Sequence, residues 1–231
     1  MLSKCSLNPA DVPLPDPNIS DEALPIALGH LYGASTSSLV TAENAPAVLA
    51  AAYFLQIDDL AQLAHGVVKA SLSAENVQQL VSFSRATIPP PMQPGEAIAS
   101  PSKAPLRYGP YSEEISRATA EYLSKTLPAE LGAFTPQAQP TAQEQLIKAY
   151  STLDFELFQS IAQSPQLAVK SVQERFNFVK KCIAARKKAL GPSLGEEQVV
   201  LAFTGPGSGG VQVLRKPARK LSKIGPHANS K

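Results

Sequence analysis

The chain has 231 residues, 44% of them hydrophobic and 17% charged, and a formal net charge of +2 at neutral pH. These proportions support a buried core and exclude a chain disordered throughout. They also leave no whole-molecule field to drive it onto nucleic acid or a membrane surface. The 21 prolines, roughly twice the usual share, forbid one uninterrupted helical bundle.

Two cysteines, Cys5 and Cys182, are too few for a disulfide framework and read as free thiols. No window reaches the ~18 consecutive apolar residues of a membrane span. The N-terminal stretch lacks a signal-peptide core. An intracellular protein, cytoplasmic or nuclear, is expected.

Residues 1–18 are rich in Pro, Asp and Asn and read as extended or disordered. Residues 19–84 are periodic at helical pitch. Leu24, Ala27, Leu28, Leu31 and Tyr32 share one face, with Gly33 as the stop. Thr41 offers an N-cap for a helix carrying Ala45, Val48, Leu49, Ala52 and Tyr53. Asp58 begins a third helix, with Leu60, Leu63, Ala64, Val67 and Val68 on its face. Ser73 caps a fourth with Val77, Leu80 and Val81.

Residues 85–110 carry Pro89, Pro90, Pro91, Pro94, Pro101, Pro105 and Pro110 among Ser, Ala and Gly, the composition of a flexible linker. Helical periodicity resumes over 111–190. Ile115, Ala118, Tyr122 and Leu123 form one face; Thr141–Glu144 and Ser171–Glu174 read as capping boxes. Leu153, Leu157, Phe158 and Ile161 mark another helix, ended by Ser164-Pro165. The last helix is expected to bury Val172, Phe176, Val179 and Ile183. Arg175, Lys180, Lys181, Arg186, Lys187 and Lys188 would then lie on its opposite, basic side. Residues 191–231 hold a hairpin pattern, 198–204 with 211–215, and a basic tail. The expected class is mainly α with a C-terminal β-hairpin.

Several stretches resemble a known family. Leu31-Tyr32-Gly33, then Thr41-Ala42-Glu43-Asn44, then Tyr53-Phe54-Leu55-Gln56-Ile57-Asp58-Asp59-Leu60 resemble the C-terminal half of a BTB/POZ domain. Ser73-Ala74-Glu75-Asn76 resembles the start of the BACK region that commonly follows. Leu153 to Phe176 is similar to the BACK helical pattern. The resemblance covers residues 13–84 and 141–190 and begins near the middle of the BTB domain. It implies a helical scaffold and a protein-binding adaptor, linked through that family to cullin-3 ubiquitin ligases. Where the family's cullin contact has a hydrophobic-x-glutamate, this chain runs Ala34-Ser35-Thr36-Ser37-Ser38.

Candidate partner-binding residues are therefore Leu24, Leu28, Leu31 and Tyr32 with Tyr53, Phe54, Leu60 and Leu63. With half the domain unmatched, an uncovered apolar patch is expected on the helices of residues 43–70. The basic surface Lys180, Lys181, Arg186, Lys187 and Lys188 supports an alternative, a nucleic-acid or chromatin-associated protein. A shortened copy without independent function is a third reading.

Enzymatic chemistry finds no support. Gly205-Pro206-Gly207-Ser208-Gly209-Gly210 fits G-x-G-x-x-G, but the strand-like Val211-Gln212-Val213-Leu214 follows it, where a dinucleotide site needs a helix N-terminus. No acid follows to hold a ribose. His30, His65 and His227 are too far apart in sequence for a metal motif. His30 and His65 read as half-buried structural residues. Paired acids such as Asp58-Asp59 and Glu113-Glu114 point different ways on a helix. No cofactor or metal is expected.

Overall fold

The computed structural model describes residues 14, 16–87, 105–135, 140–167, 169–190, 198–203 and 210–216. It divides into two compact units, Met1–Thr119 and Ala120–Lys231, with the division inside one helix. The described residues are mainly helical, with one two-stranded antiparallel sheet. No described helix is long and apolar enough to cross a membrane.

The first unit contains α1 (Ala23–Leu31), a 3₁₀ turn (Ser37–Leu39), α2 (Ala45–Phe54), α3 (Asp58–Ala70), α4 (Val77–Ser84) and the start of α5 (Gly109–Glu121). Helix α2 is buried nearly all round. Ala45, Val48, Leu49, Ala50, Ala51 and Ala52 are all fully covered, and their small side chains let neighbouring helices approach closely. The start of α2 follows a reciprocal turn. Thr41 N–H donates to Asn44 Oδ1 at 2.9 Å, and Asn44 N–H donates to Thr41 Oγ1 at 3.4 Å. Asn44 Nδ2 also donates to the Leu39 carbonyl. Before α4, Ser73 N–H likewise donates to Asn76 Oδ1, and Asn76 Nδ2 donates to the Ser71 carbonyl. Asparagine here holds the place of the glutamate of a capping box. Each helix proper therefore begins one turn after the threonine or serine expected to cap it.

Helix α2 closes with Gln56 at φ 58°, a left-handed position that usually takes glycine. Ile57 N–H donates to the Ala52 carbonyl and Gln56 N–H to the Tyr53 carbonyl, satisfying the helix end. The buried Ile57 then leads straight into α3.

Of the expected linker over 85–110, residues 88–104 lie outside the described residues. The two ends are ordered and adjacent. Thr87 and Leu106 form an antiparallel bridge, and Arg107 N–H donates to the Ala86 carbonyl at 2.8 Å. Tyr108, inside the expected linker, is fully buried and stacks on Phe83 at 4.5 Å between centroids. Its hydroxyl donates to Asp16 Oδ2 at 2.9 Å and accepts from Asn18 Nδ2 at 2.6 Å. Arg107 adds an ion pair to Asp16 at 3.1 Å. The start of the described chain is thus held to the residues that follow the proline-rich stretch. The division between the units falls after Thr119 rather than at the prolines.

The second unit begins with a π-helical turn, Tyr122–Thr126, before the short α6 (Leu127–Glu130). Then come α7 (Pro140–Ser151), α8 (Phe155–Gln163), α9 (Val172–Leu190), β1 (Gln198–Phe203) and β2 (Val211–Lys216). Helix α7 starts at Pro140, so the expected cap Thr141 lies inside the first turn; proline is favoured there because it needs no N–H partner. Asp154 caps α8 by accepting from Leu157 N–H, and Ser171 caps α9 by accepting from Glu174 N–H, as the second capping box predicts.

The π turn has a covalent cause. Leu127 N–H bonds back to the Tyr122 carbonyl, and Pro128 has no N–H. Neither residue can serve the Leu123 carbonyl, which instead accepts from the hydroxyl of Tyr150, a fully buried residue of α7. Burial raises the Tyr150 hydroxyl well above its ordinary range and keeps it a donor.

The face of α9 differs from expectation. Val179 and Ile183 are buried as expected and Phe176 is half-buried, but Val172 is exposed, and Arg175, Phe178, Cys182 and Arg186 are buried with them. Arg175 donates to the carbonyls of Ala162, Ser164 and Leu167. Arg186 donates to those of Tyr150 and Leu153 and sits 4.9 Å from the Phe158 ring centroid. Both arginines satisfy carbonyls left open where α7 and α8 end, which is why a helix face bearing two cations turns inward. Burial pushes the Cys182 thiol up to about 12, so it stays a protonated, unreactive core residue.

The hairpin forms as expected, pairing Gln198 with Lys216 through Phe203 with Val211. Strand β2 docks on α8, where Gln159 and Gln163 donate to the Val213 carbonyl at 2.6 and 3.3 Å. A strand, not a helix, follows Gly210. At φ +75°, a Cβ on Gly210 would lie 2.6 Å from Val172, so this glycine permits close packing against α9.

Replacing Tyr150 with Phe keeps the shape and leaves the Leu123 carbonyl buried without a donor. Urea unfolding of Tyr150→Phe is expected to show a loss of about 1–3 kcal/mol against the parent. An unchanged midpoint would mean that another donor reaches this carbonyl.

Candidate functional site

Helix α1 carries apolar side chains on opposite faces. Ala23, Ile26 and Ala27 are buried in the first unit's core, with Leu24 half-buried beside them. Of the stripe expected to bind partners, all but Leu24 looks outward: Leu28 is 40%, Leu31 54% and Tyr32 90% exposed. The spacing i, i+3, i+4 places these three on one stripe. Helix α1 packs against α2, and Ile26 is buried along with the two alanines. A helix apolar on all sides is normally covered on all sides.

The end of α1 is held firmly. Gly33 at φ 80° closes a Schellman turn, with Ala34 N–H donating to the Gly29 carbonyl and Gly33 N–H to that of His30. His30 Nδ1 lies 2.9 Å from Thr36 Oγ1, and His30 Nε2 lies 2.9 Å from Asp59 Oδ2. The His30 hydrogen bond, helped by Leu60 N–H, holds the Asp59 carboxyl below its usual range. This structural role matches the sequence reading of His30. The bonds tie the last turn of α1 to the loop after it and to the start of α3. The outward stripe therefore sits on a rigid support.

The other candidates divide. Phe54 is 44% exposed at the end of α2. Tyr53 is 39% exposed, but its ring meets Tyr108 and Tyr111 edge-on at 5.8 and 6.4 Å, so much of it packs inside the unit. Leu63 is half-buried. Leu60 is 1% exposed and belongs to the core; as the first apolar residue after the Asp58-Asp59 start, it faces the interior. The patch expected on residues 43–70 is thus small, and most exposed bulk lies on α1. Leu39, not anticipated, is 52% exposed in the 3₁₀ turn. Its signal was a lone leucine in a Ser/Thr-rich turn.

His65 is buried against Tyr111, with ring centroids 5.2 Å apart. Its Nε2 lies 3.4 Å from Glu114 Oε2 and makes no hydrogen bond. Burial lowers its pKa and keeps the ring neutral, partly opposed by Glu114. Among the described residues no three His, Cys, Asp or Glu side chains gather as metal ligands. On the basic side, Lys180, Lys181, Lys187 and Lys188 are exposed, whereas Arg186 is internal. Compared with protein-family models, curated proteins and solved structures, the chain matches none.

The two faces of α1 should respond oppositely to substitution. Leu31→Lys is expected to leave the thermal midpoint within a few degrees of the parent. Ile26→Ala should cost about 2–4 kcal/mol through a core cavity. Equal destabilisation by both, in differential scanning calorimetry, would place Leu31 in the core.

Proposed function

We propose that this chain is a non-enzymatic protein–protein interaction module of BTB/BACK type, an adaptor that docks partners on the outer face of α1. One observation carries the reading: Leu28, Leu31 and Tyr32 form an exposed apolar stripe on a helix whose end is fixed by His30, Thr36 and Asp59. Docking stripes of this kind bury aliphatic and aromatic anchors and exclude water around them. The resemblance of Leu31-Tyr32-Gly33, Thr41–Asn44 and Ser73–Asn76 to the family pattern supports it. In this reading the protein works in the cytoplasm or nucleus and links a client to a cullin-3 assembly. Burial of Arg175 and Arg186 removes both arginines from the surface that the nucleic-acid alternative would use.

The reading is tested by titrating the purified N-terminal region of cullin-3 with the full chain. Saturable binding is expected, weakened at least tenfold by Leu28→Asp with Leu31→Asp while the melting curve holds. Absence of binding to the parent chain removes the cullin link. Binding indifferent to the double substitution moves the docking site off α1.

A further inference from the structure

The outward face of α9 is built differently from α1. Lys180, Lys181, Lys187 and Lys188 are all exposed, as are Asn177 and Ala184. At ~100° per residue, Asn177 and Ala184 run down the centre of this face. Lys180 and Lys187 flank the centre on one side, and Lys181 and Lys188 on the other. Each pair is one heptad apart, ~10.5 Å along the axis. The only acid on α9 is Glu174, in its first turn, away from the lysines. Among the described residues, none of the four lysines shares an ion pair; Lys181 Nζ instead donates to Gln143 Oε1 at 3.1 Å.

We propose that this face of α9 docks an acidic helix of a partner protein, lying along Asn177 and Ala184 with carboxylates on both lysine rows. This site is separate from the α1 stripe and does not depend on the reading given to it. Three features point to a helix rather than to nucleic acid. Lysine rows in heptad register meet acids at the same repeat on a facing helix, as flanking positions do in a coiled coil. The uncharged centre, with the methyl of Ala184, admits a close backbone. The two arginines of this helix, the better partners for phosphate and base edges, are turned inward on carbonyls. Among the described helices, acids one heptad apart stand only at Glu114 and Glu121 of α5, and Glu114 is already paired with Lys69, so another protein is the better source of the acidic surface.

The test uses the full chain and three labelled probes, read by fluorescence anisotropy at two salt concentrations. The first is a helical peptide with glutamates in heptad register on both flanks of an alanine-leucine seam. The second has the same composition with the register scrambled, and the third is a short DNA duplex. The registered peptide is expected to bind most tightly, at least tenfold better than the scrambled one. Lys180→Glu with Lys187→Glu should weaken it about tenfold, since two attractions become repulsions; Lys181→Glu with Lys188→Glu should do the same. All four positions are exposed, so the thermal midpoint is the control for folding. Equal binding of the scrambled peptide, tighter and steeply salt-dependent binding of the duplex, or no binding of the registered peptide would overturn the proposal.

Discussion

Helix α1 carries more apolar surface than its own unit covers, and the functional account depends on that imbalance. Ala23, Ile26 and Ala27 face the core, and Leu28, Leu31 and the adjoining Tyr32 face out. Helix α1 packs against α2, itself lined by buried alanines. Covering a Leu or a comparable side chain is worth roughly 1.5–3 kcal/mol. A partner that covers the stripe therefore gains several kcal/mol from residues that contribute little to the folded monomer. The His30 bonds to Thr36 and Asp59 reduce the ordering cost, because the end of the helix is already fixed.

In the second unit, the dominant constraint is the supply of donors to carbonyls at helix ends. Pro128 withholds an N–H, a π turn results, and Tyr150 supplies the missing bond. Where α7 and α8 end, Arg186 and Arg175 reach back from α9 to the open carbonyls. These are charge-assisted bonds in a buried setting, where an unmade bond is costly. They fix the rotation of α9 about its axis, and so determine which side of that helix shows its lysines. The same bonds thus link the interior of the unit to the charge pattern outside.

Much of this was legible in the sequence, and the exceptions have physical causes. Helical pitch located α1 to α4, α8 and α9, and the Ser171 cap and the C-terminal hairpin stand where their residues predict. Periodicity put Leu24, Ala27, Leu28, Leu31 and Tyr32 on one face of α1 but could not say where the core ends along it: Ala27 is buried and Leu24 half-buried, whereas Leu28, Leu31 and Tyr32 are exposed. Nor could charge alone place Arg175 and Arg186. A cation on a helix reads as surface until the carbonyls it serves are known, and those lie on other helices. Tyr108 looked like part of a linker because prolines surround it, yet its ring completes the first core. The glycine motif ending at Gly210 resembles a nucleotide loop by spacing alone; packing against Val172 accounts for its last glycine.

The most direct test of the central claim is fluorescence of ANS, a dye that reports apolar surface, added to the purified, folded, monomeric chain. The account predicts enhanced, blue-shifted emission that is lost when Leu28, Leu31 and Tyr32 are together replaced by lysine. A folded monomer that binds no dye, or whose dye binding survives the triple replacement, would contradict it.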